Sequence, residues 1–107
     1  MSDQRIPEQT LASVLTAAES LVRNAGASFD EPDMHRVTAL VREAEHMSPG
    51  GAAFHAQLDT VAKWLALLAS TTEHERFGGT ARVREHVLLQ FRLAQAAAED
   101  YLKATEA

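Results

Sequence analysis

The longest helical pattern of the chain lies at residues 80–105 and reads TARVREHVLLQFRLAQAAAEDYLKAT. Apolar residues recur in it three and four positions apart, which is the spacing of one face of an α-helix. The main stripe contains Val83, Val87, Phe91, Ala94, Ala98 and Tyr101. Further apolar residues widen this stripe, namely Leu89, Leu93, Ala96 and Ala97. Since the resulting apolar arc is wider than one small bundle can shelter, we expect another molecule to cover part of it.

Three earlier segments show the same spacing of apolar residues and predict three more amphipathic helices. The first begins at Pro7, which suits the first turn of a helix, and Gly26 ends it. The four predicted helices span residues 7–25, 32–47, 49–73 and 80–105. A chain of 107 residues fits one domain, so we expect residues 1–107 to form a single helical domain.

The connections between these segments contain residues that stop and start helices. Asp30 predicts an N-terminal cap for the second helix, Ser48 for the third and Thr80 for the fourth. Two glycines before Thr80 permit a sharp reversal of the chain. Phe29, in the first connection, is expected to plug one end of the core.

Short connections make successive helices antiparallel neighbours. The sequence therefore predicts an all-α fold, an antiparallel up-down-up-down four-helix bundle. The alternative is a dimer in which two chains exchange their fourth helices. A glycine-rich turn next to the wide apolar arc is compatible with that exchange, because such a turn can act as a hinge.

The composition narrows the classes of function. Ten Lys and Arg against fifteen Asp and Glu give a net charge of −5, which disfavours nucleic acid and anionic lipid as partners. Cysteine is absent, which excludes disulfides, thiolate nucleophiles and sulfur-ligated zinc. Residues 1–7 lack the apolar core of a signal peptide, and no apolar run approaches the roughly 18 residues of a membrane span. We expect a soluble cytoplasmic protein without a cofactor, and its excess of arginine over lysine is typical of a bacterial source.

Two polar residues, His86 and Gln90, lie inside the apolar arc of the fourth helix, one turn apart. One interpretation is a hydrogen bond that is satisfied in the core or at an interface. The other is a ligand pocket between the third and fourth helices, with Trp64 as its wall and His86 as acid or base. In an enzyme of this kind, Glu85 and Tyr101 would assist His86.

The other helical histidines give weaker patterns. His35 and His46 lie away from the apolar stripe of the second helix, and we expect both on the surface. Glu43 and His46 have the spacing that di-iron bundles use, but a second copy of that pattern is missing. His55 and Asp59 form an i, i+4 pair on a polar flank. We therefore expect no metal site.

The stretch EHERFGG at residues 73–79 resembles the phosphorylated segment of histidine phosphotransfer domains. Those domains are acidic four-helix bundles with a helical histidine near Lys-Gly, so the resemblance implies a phosphate-accepting role for His74. Phe77 stands where the pattern His-x-x-Lys-Gly has its lysine. The cation that would stabilise a phosphate group is thus missing at this position. We expect an exposed loop histidine at this position.

Positive charge concentrates around the start and the outer side of the fourth helix. It comes from four arginines, Arg76, Arg82, Arg84 and Arg92. Without interleaved aromatic residues they make a poor surface for nucleic acid, but they can attract a carboxylate-bearing peptide or an acidic patch on a partner protein. The simpler interpretation is a solvated face.

Three functions fit these observations. The first is a small acidic interaction module that forms a homodimer, mainly through the fourth helix, and binds a protein or peptide partner. Its contact residues would be Trp64, Leu67, His86, Leu89, Gln90 and Leu93. The second is a small cofactor-free acid-base enzyme or ligand-binding protein with a pocket near the third and fourth helices. The third is an immunity or antitoxin-like inhibitor, a hypothesis that rests on size and charge alone.

Overall fold

The computed structural model describes residues 10–25 and 29–106, and these form four α-helices and one short 3-10 helix. The α-helices are α1 (Leu11–Arg23), α2 (Glu31–His46), α3 (Ala52–Ala69) and α4 (Thr80–Glu106), and the 3-10 helix (Thr71–Phe77) lies between α3 and α4. No strand occurs in these two ranges, and the predicted all-α fold class is confirmed. The predicted helix start at Pro7 and helix end at Gly26 lie outside the described residues.

Side-chain caps close the N-terminal ends of α1 and α2. The hydroxyl oxygen of Thr10 accepts a hydrogen bond from the backbone N–H of Ser13 at 3.1 Å. At α2, the predicted cap Asp30 accepts from the backbone N–H of Asp33, and the Asp33 carboxylate accepts from the N–H of Asp30. This reciprocal capping box satisfies two backbone donors that the helix itself cannot bond.

At both ends α3 is shorter than the predicted span of residues 49–73. Gly50 has a φ of +80°, which an α-helix does not contain, so α3 begins only at Ala52. The prediction that Ser48 caps α3 is wrong, because its hydroxyl donates to the carbonyl oxygen of Ala44 at 2.7 Å and so closes the end of α2. At the far end the backbone of Ser70 is extended, and the 3-10 helix replaces the last predicted turn of α3.

The reversal before α4 uses two glycines. Gly78 and Gly79 have φ values of +95° and +101°, which favour glycine over residues with a Cβ. At Gly78 an added Cβ would also lie 2.9 Å from Cγ of Arg82. Thr80 is the first residue of α4, and its hydroxyl is hydrogen-bonded to Nδ1 of His74 at 2.7 Å. The Thr80 side chain therefore bonds to a residue of the connection, and the prediction that it caps α4 is wrong.

The core lies where the apolar stripes of the four helices meet. α1 packs against α2 and α4, α2 packs against α3, and α3 and α4 share the most extensive contact. Gln57 contacts Gln90 and Trp64 contacts His86, so rising numbers along α3 meet falling numbers along α4 and the two helices are antiparallel. Phe29 is buried at this core, as expected. The buried stripe of α4 contains Val83, Val87, Phe91, Ala94 and Ala98.

The molecule is thin in one direction. The Cα trace extends 16 Å along its shortest axis, against 45 and 31 Å along the other two. Since packed helices lie about 8–10 Å apart, this thickness corresponds to two layers of helices. Each helix therefore has a face that the other layer does not cover. No helix in the described part of the chain is both long enough and apolar enough to cross a membrane.

Candidate interaction surface

The outer face of α4, opposite its buried stripe, presents apolar side chains. Leu89 and Leu93 are each 47% exposed, more than any other large apolar side chain in the described ranges. Helical spacing places four further residues on the same side, and we name the six residues the outer stripe: Arg82, His86, Leu89, Leu93, Ala96 and Asp100. His86 is half-buried, and the other five are exposed. A single subunit thus leaves both leucines of the stripe open to water.

Three rings meet at one end of the outer stripe, where α3, the 3-10 helix and α4 converge. The indole of Trp64 stacks on the imidazole of His86, with ring centroids 4.6 Å apart and an angle of 19° between the planes. Phe77 meets the same indole edge-on, at 5.7 Å and 74°, and is 39% exposed. Such arrangements of rings are attractive. This aromatic cluster of Trp64, Phe77 and His86 therefore holds the His86 ring against α3.

Two of the predicted contact residues are already engaged within the subunit. The side-chain carbonyl oxygen of Gln90 accepts a hydrogen bond from Nε2 of Gln57 at 2.8 Å. Leu67 is half-buried and packs against the core. Gln90 thus has the satisfied hydrogen bond that the first interpretation expected, and the large exposed apolar side chains on the outer side of α4 are Leu89 and Leu93.

The residues considered for acid-base chemistry do not converge. The Tyr101 hydroxyl donates to the carbonyl oxygen of Pro49 at 2.8 Å, and its ring packs so closely on Gly51 that a Cβ there would lie 3.0 Å from Cδ1. Tyr101 follows His86 by fifteen positions in the helix, a distance of about 22 Å along the axis. Glu85 is exposed and points about 100° away from His86 around the helix. The described residues enclose no pocket, beside His86 or elsewhere.

His74 is buried, so the expectation of an exposed loop histidine is wrong. Its Nε2 lies 2.8 Å from the carbonyl oxygen of Leu68 and 3.1 Å from that of Leu67. Because carbonyl oxygens only accept, Nε2 carries the proton, and in the neutral ring Nδ1 accepts from the hydroxyl of Thr80. His74 thereby closes the C-terminal end of α3. With both nitrogens bonded and the residue 5% exposed, it lacks the free nitrogen that a phosphate acceptor needs.

A second contact between histidine and hydroxyl, which is partly buried, lies at the end of α2, and the sequence patterns did not reveal it. Nε2 of His55 lies 3.0 Å from Oγ of Ser48. The single hydroxyl proton of Ser48 points to the Ala44 carbonyl at 2.7 Å, so His55 donates to the serine oxygen and does not activate it as a nucleophile. The pair is part of the connection between α2 and α3.

The four predicted arginines do not form one patch. Arg82 and Arg84 point about 160° apart around α4, and Arg92 lies between them, about 80° from each. Arg76 is on the 3-10 helix. Arg84 is half-buried and the other three are exposed. Positive charge is therefore spread around the helix, and Arg82 is the member that shares a side with Leu89 and Leu93.

His35 and His46 are exposed, as expected for the outer side of α2. Across residues 10–25 and 29–106, no group of three or more histidine, aspartate or glutamate side chains is placed to hold a metal ion. Comparison of the chain with protein-family models, with curated proteins and with solved structures gives no match. The function of the outer stripe is therefore argued from its own geometry.

Proposed function

We propose that this chain is a small acidic interaction module that forms a homodimer through the outer stripe of α4, and that it has no enzymatic activity of its own. The half-exposure of Leu89 and Leu93 carries this proposal. The two leucines lie one helical turn apart in the middle of α4, and within residues 10–25 and 29–106 no other element covers their exposed sides. Adjoining exposed leucines provide contiguous apolar surface that a second molecule can remove from water.

The area that can be buried supports a dimer of modest stability. Removing apolar surface from water contributes about 2.5 kcal/mol per 100 Å² before the costs of association are subtracted. A standard interface buries about 800 Å² on each partner, and two leucines supply only part of that. The aromatic cluster adjoins the stripe at His86 and adds the exposed ring of Phe77 and the half-buried ring of Trp64. The charged ends of the stripe provide a polar rim.

Within each subunit we propose an antiparallel up-down-up-down four-helix bundle. Its support is the closed cycle of helix contacts, in which α1 packs on both α2 and α4 while α3 packs on both α2 and α4. The antiparallel run of α3 and α4 and the bond from Gln95 to Thr16, which joins α4 to α1 at 3.2 Å, fit the same arrangement. Since α4 finds both neighbours in its own chain, we favour this subunit over a dimer that exchanges α4.

A second copy of the chain suits this surface better than an acidic peptide. The arginines that would attract carboxylates point to different sides of α4, whereas the two leucines adjoin each other. The enzyme hypothesis loses its support for a similar reason, because His86, Glu85 and Tyr101 do not meet and no pocket adjoins them in the described residues. A further protein partner would bind the dimer at a surface that we do not assign.

The mass in solution tests the proposal. Light scattering after gel filtration at micromolar concentration should give about 23 kDa, twice the 11.7 kDa of one chain. The double variant Leu89→Glu with Leu93→Glu should give the mass of one chain, since its dimer would have to bury two carboxylates from each subunit, which is unfavourable. The variant should retain its helical circular dichroism.

The matched control is Leu102→Glu. Leu102 is a third exposed leucine of α4, 39% exposed, but it points to the side of the helix that lies about 160° from the outer stripe. This variant should remain a dimer. A wild-type chain that is monomeric at micromolar concentration contradicts the proposal. A double variant at Leu89 and Leu93 that remains a dimer contradicts it as well.

A further inference from the structure

The outer stripe of α4 is complementary to itself when it is read in the opposite direction. Its six residues lie at equal distances on either side of Phe91: Leu89 and Leu93 are two residues away, His86 and Ala96 five, and Arg82 and Asp100 nine. With a rise of 1.5 Å per residue, these positions are about 3, 7.5 and 13.5 Å from the centre of the stripe. A two-fold axis at that centre would exchange the members of each pair.

We infer that α4 pairs with α4 of a second copy in antiparallel orientation, about a two-fold axis that passes opposite Phe91. This inference rests on the proposed homodimer and adds its orientation and register. Leu89 would then pack on the partner's Leu93, and the partner's Leu89 on Leu93. Arg82 would face the partner's Asp100 at one end of the stripe, and the same pair would recur at the other end.

Charge complementarity is the observation that favours this orientation. In a parallel pair, equivalent positions meet, so Arg82 would face a second arginine and Asp100 a second aspartate, and like charges repel. In the antiparallel pair both contacts join opposite charges. Neither Arg82 nor Asp100 has an ion pair with another residue in the described part of its own chain, so both charges are available to a second copy.

The position of Arg82 in its own helix points the same way. It is the third residue of α4, where the positive end of the helix dipole makes an arginine unfavourable. In the antiparallel pair this guanidinium would lie beside the carboxylate of the partner's Asp100, which compensates its charge. A feature that disfavours the isolated helix thus becomes favourable in the assembly.

The middle pair of the stripe combines a large and a small side chain. The aromatic cluster holds the His86 ring back against Trp64, with their centroids 4.6 Å apart. The residue opposite would be the partner's Ala96, whose methyl group leaves room for that ring and lets the two helices approach. Two large side chains at these positions would separate the leucines at the centre.

Exchange of charges tests the register. Arg82→Asp alone should weaken the dimer at least about tenfold, because the two-fold axis repeats each repulsive contact, and Asp100→Arg alone should do the same. An equimolar mixture of these two variants should form a heterodimer of near wild-type affinity, since both end contacts then join opposite charges. Sedimentation velocity at low ionic strength measures all four samples.

The control for net charge is Arg92→Asp, which changes the charge by the same amount at an exposed position of α4 about 80° from Arg82. Mixing this variant with Asp100→Arg should not restore the wild-type affinity. If that mixture recovers as fully as the one with Arg82→Asp, general charge balance explains the result and the register is overturned.

Cross-linking separates this inference from the proposed dimer. The chain has no cysteine, so a short bismaleimide joins only cysteines that are introduced. A mixture of Arg82→Cys and Asp100→Cys chains should give a covalent dimer. Arg82→Cys alone should give none, because the two introduced thiols would lie about 27 Å apart.

Two results would overturn the antiparallel register and leave the homodimer intact. One is a covalent dimer of Arg82→Cys alone. The other is a wild-type chain that is a dimer in light scattering while neither cysteine sample gives a cross-link. A wild-type monomer in light scattering would overturn both proposals. Recovery in the charge-exchange mixture together with cross-links between positions 82 and 100 supports both.

Discussion

The inner and outer faces of α4 contain similar apolar residues in different surroundings. On the inner face, Val87 and Phe91 are fully buried among residues of the other helices. On the outer face, Leu89 and Leu93 are each about half open to water. The two sets of residues alternate along the same few turns of α4, so the preference of the surrounding sequence for helix is nearly the same for both.

This difference shows how one helix can serve two purposes. The inner residues contribute to the free energy of folding, because their surface is removed from water when the subunit forms. The outer residues contribute little to folding and retain apolar area that association can bury. Substitutions on the two faces should therefore separate stability from assembly.

The largest effect is expected on the inner face, from Phe91→Ala. Removing a fully buried phenylalanine leaves a cavity and should lower the free energy of unfolding by about 3–5 kcal/mol. That is a large part of the roughly 5–15 kcal/mol that stabilises a typical domain. Urea unfolding followed by circular dichroism measures it.

Leu102→Ala is the matched control for this change. It removes an exposed side chain of the same helix and should cost less than about 1 kcal/mol. Equal losses in the two variants would show that burial does not determine how much a side chain of α4 contributes to stability.

An effect of intermediate size on stability is expected at the connection between α3 and α4. His74→Ala leaves the carbonyl oxygens of Leu67 and Leu68 without their buried donor, which should cost about 1–3 kcal/mol of unfolding free energy. His74→Gln keeps an N–H donor and should lose less. The same urea experiment distinguishes them, and an alanine variant as stable as wild type would show that these bonds are dispensable.

The smallest effect on folding is expected on the outer face. The variant Leu89→Ala with Leu93→Ala should change the unfolding free energy of the monomer by less than about 1 kcal/mol per leucine. Its midpoint of thermal unfolding should be independent of protein concentration, whereas the wild-type midpoint should rise with concentration, since association stabilises the folded state. Calorimetry over a hundredfold dilution compares the two. A concentration-dependent midpoint in the variant would mean that another surface drives assembly.

Helical periodicity is sufficient to predict which residues of α4 are buried in the subunit. The buried residues of α4, from Val83 to Ala98, follow the predicted stripe, and the same spacing identifies Leu89 and Leu93 as residues outside it. The capping box at Asp30 is likewise a local pattern, since both partners lie within four residues.

Contacts between helix ends lack such a pattern. His74 stands among glutamates and an arginine, which predicts a solvated segment, yet the reversal of the chain carries its ring onto the last carbonyls of α3. Ser48 before proline predicts a helix start, but the same hydroxyl can bond back to the preceding helix, and it does so here. Both outcomes depend on where a turn directs the chain, which the local sequence does not determine.

The stacking of Trp64 on His86 gives the molecule an optical reporter of its own. Trp64 is the single tryptophan of the chain, and its indole lies at the end of the outer stripe, half-buried, against a ring that belongs to the stripe. Emission excited at the long-wavelength edge of the protein absorption band, where Tyr101 does not absorb, therefore originates at this indole. The wavelength and intensity of this emission depend on the surroundings of the indole, so binding of another molecule at the outer stripe can be followed without attaching a dye.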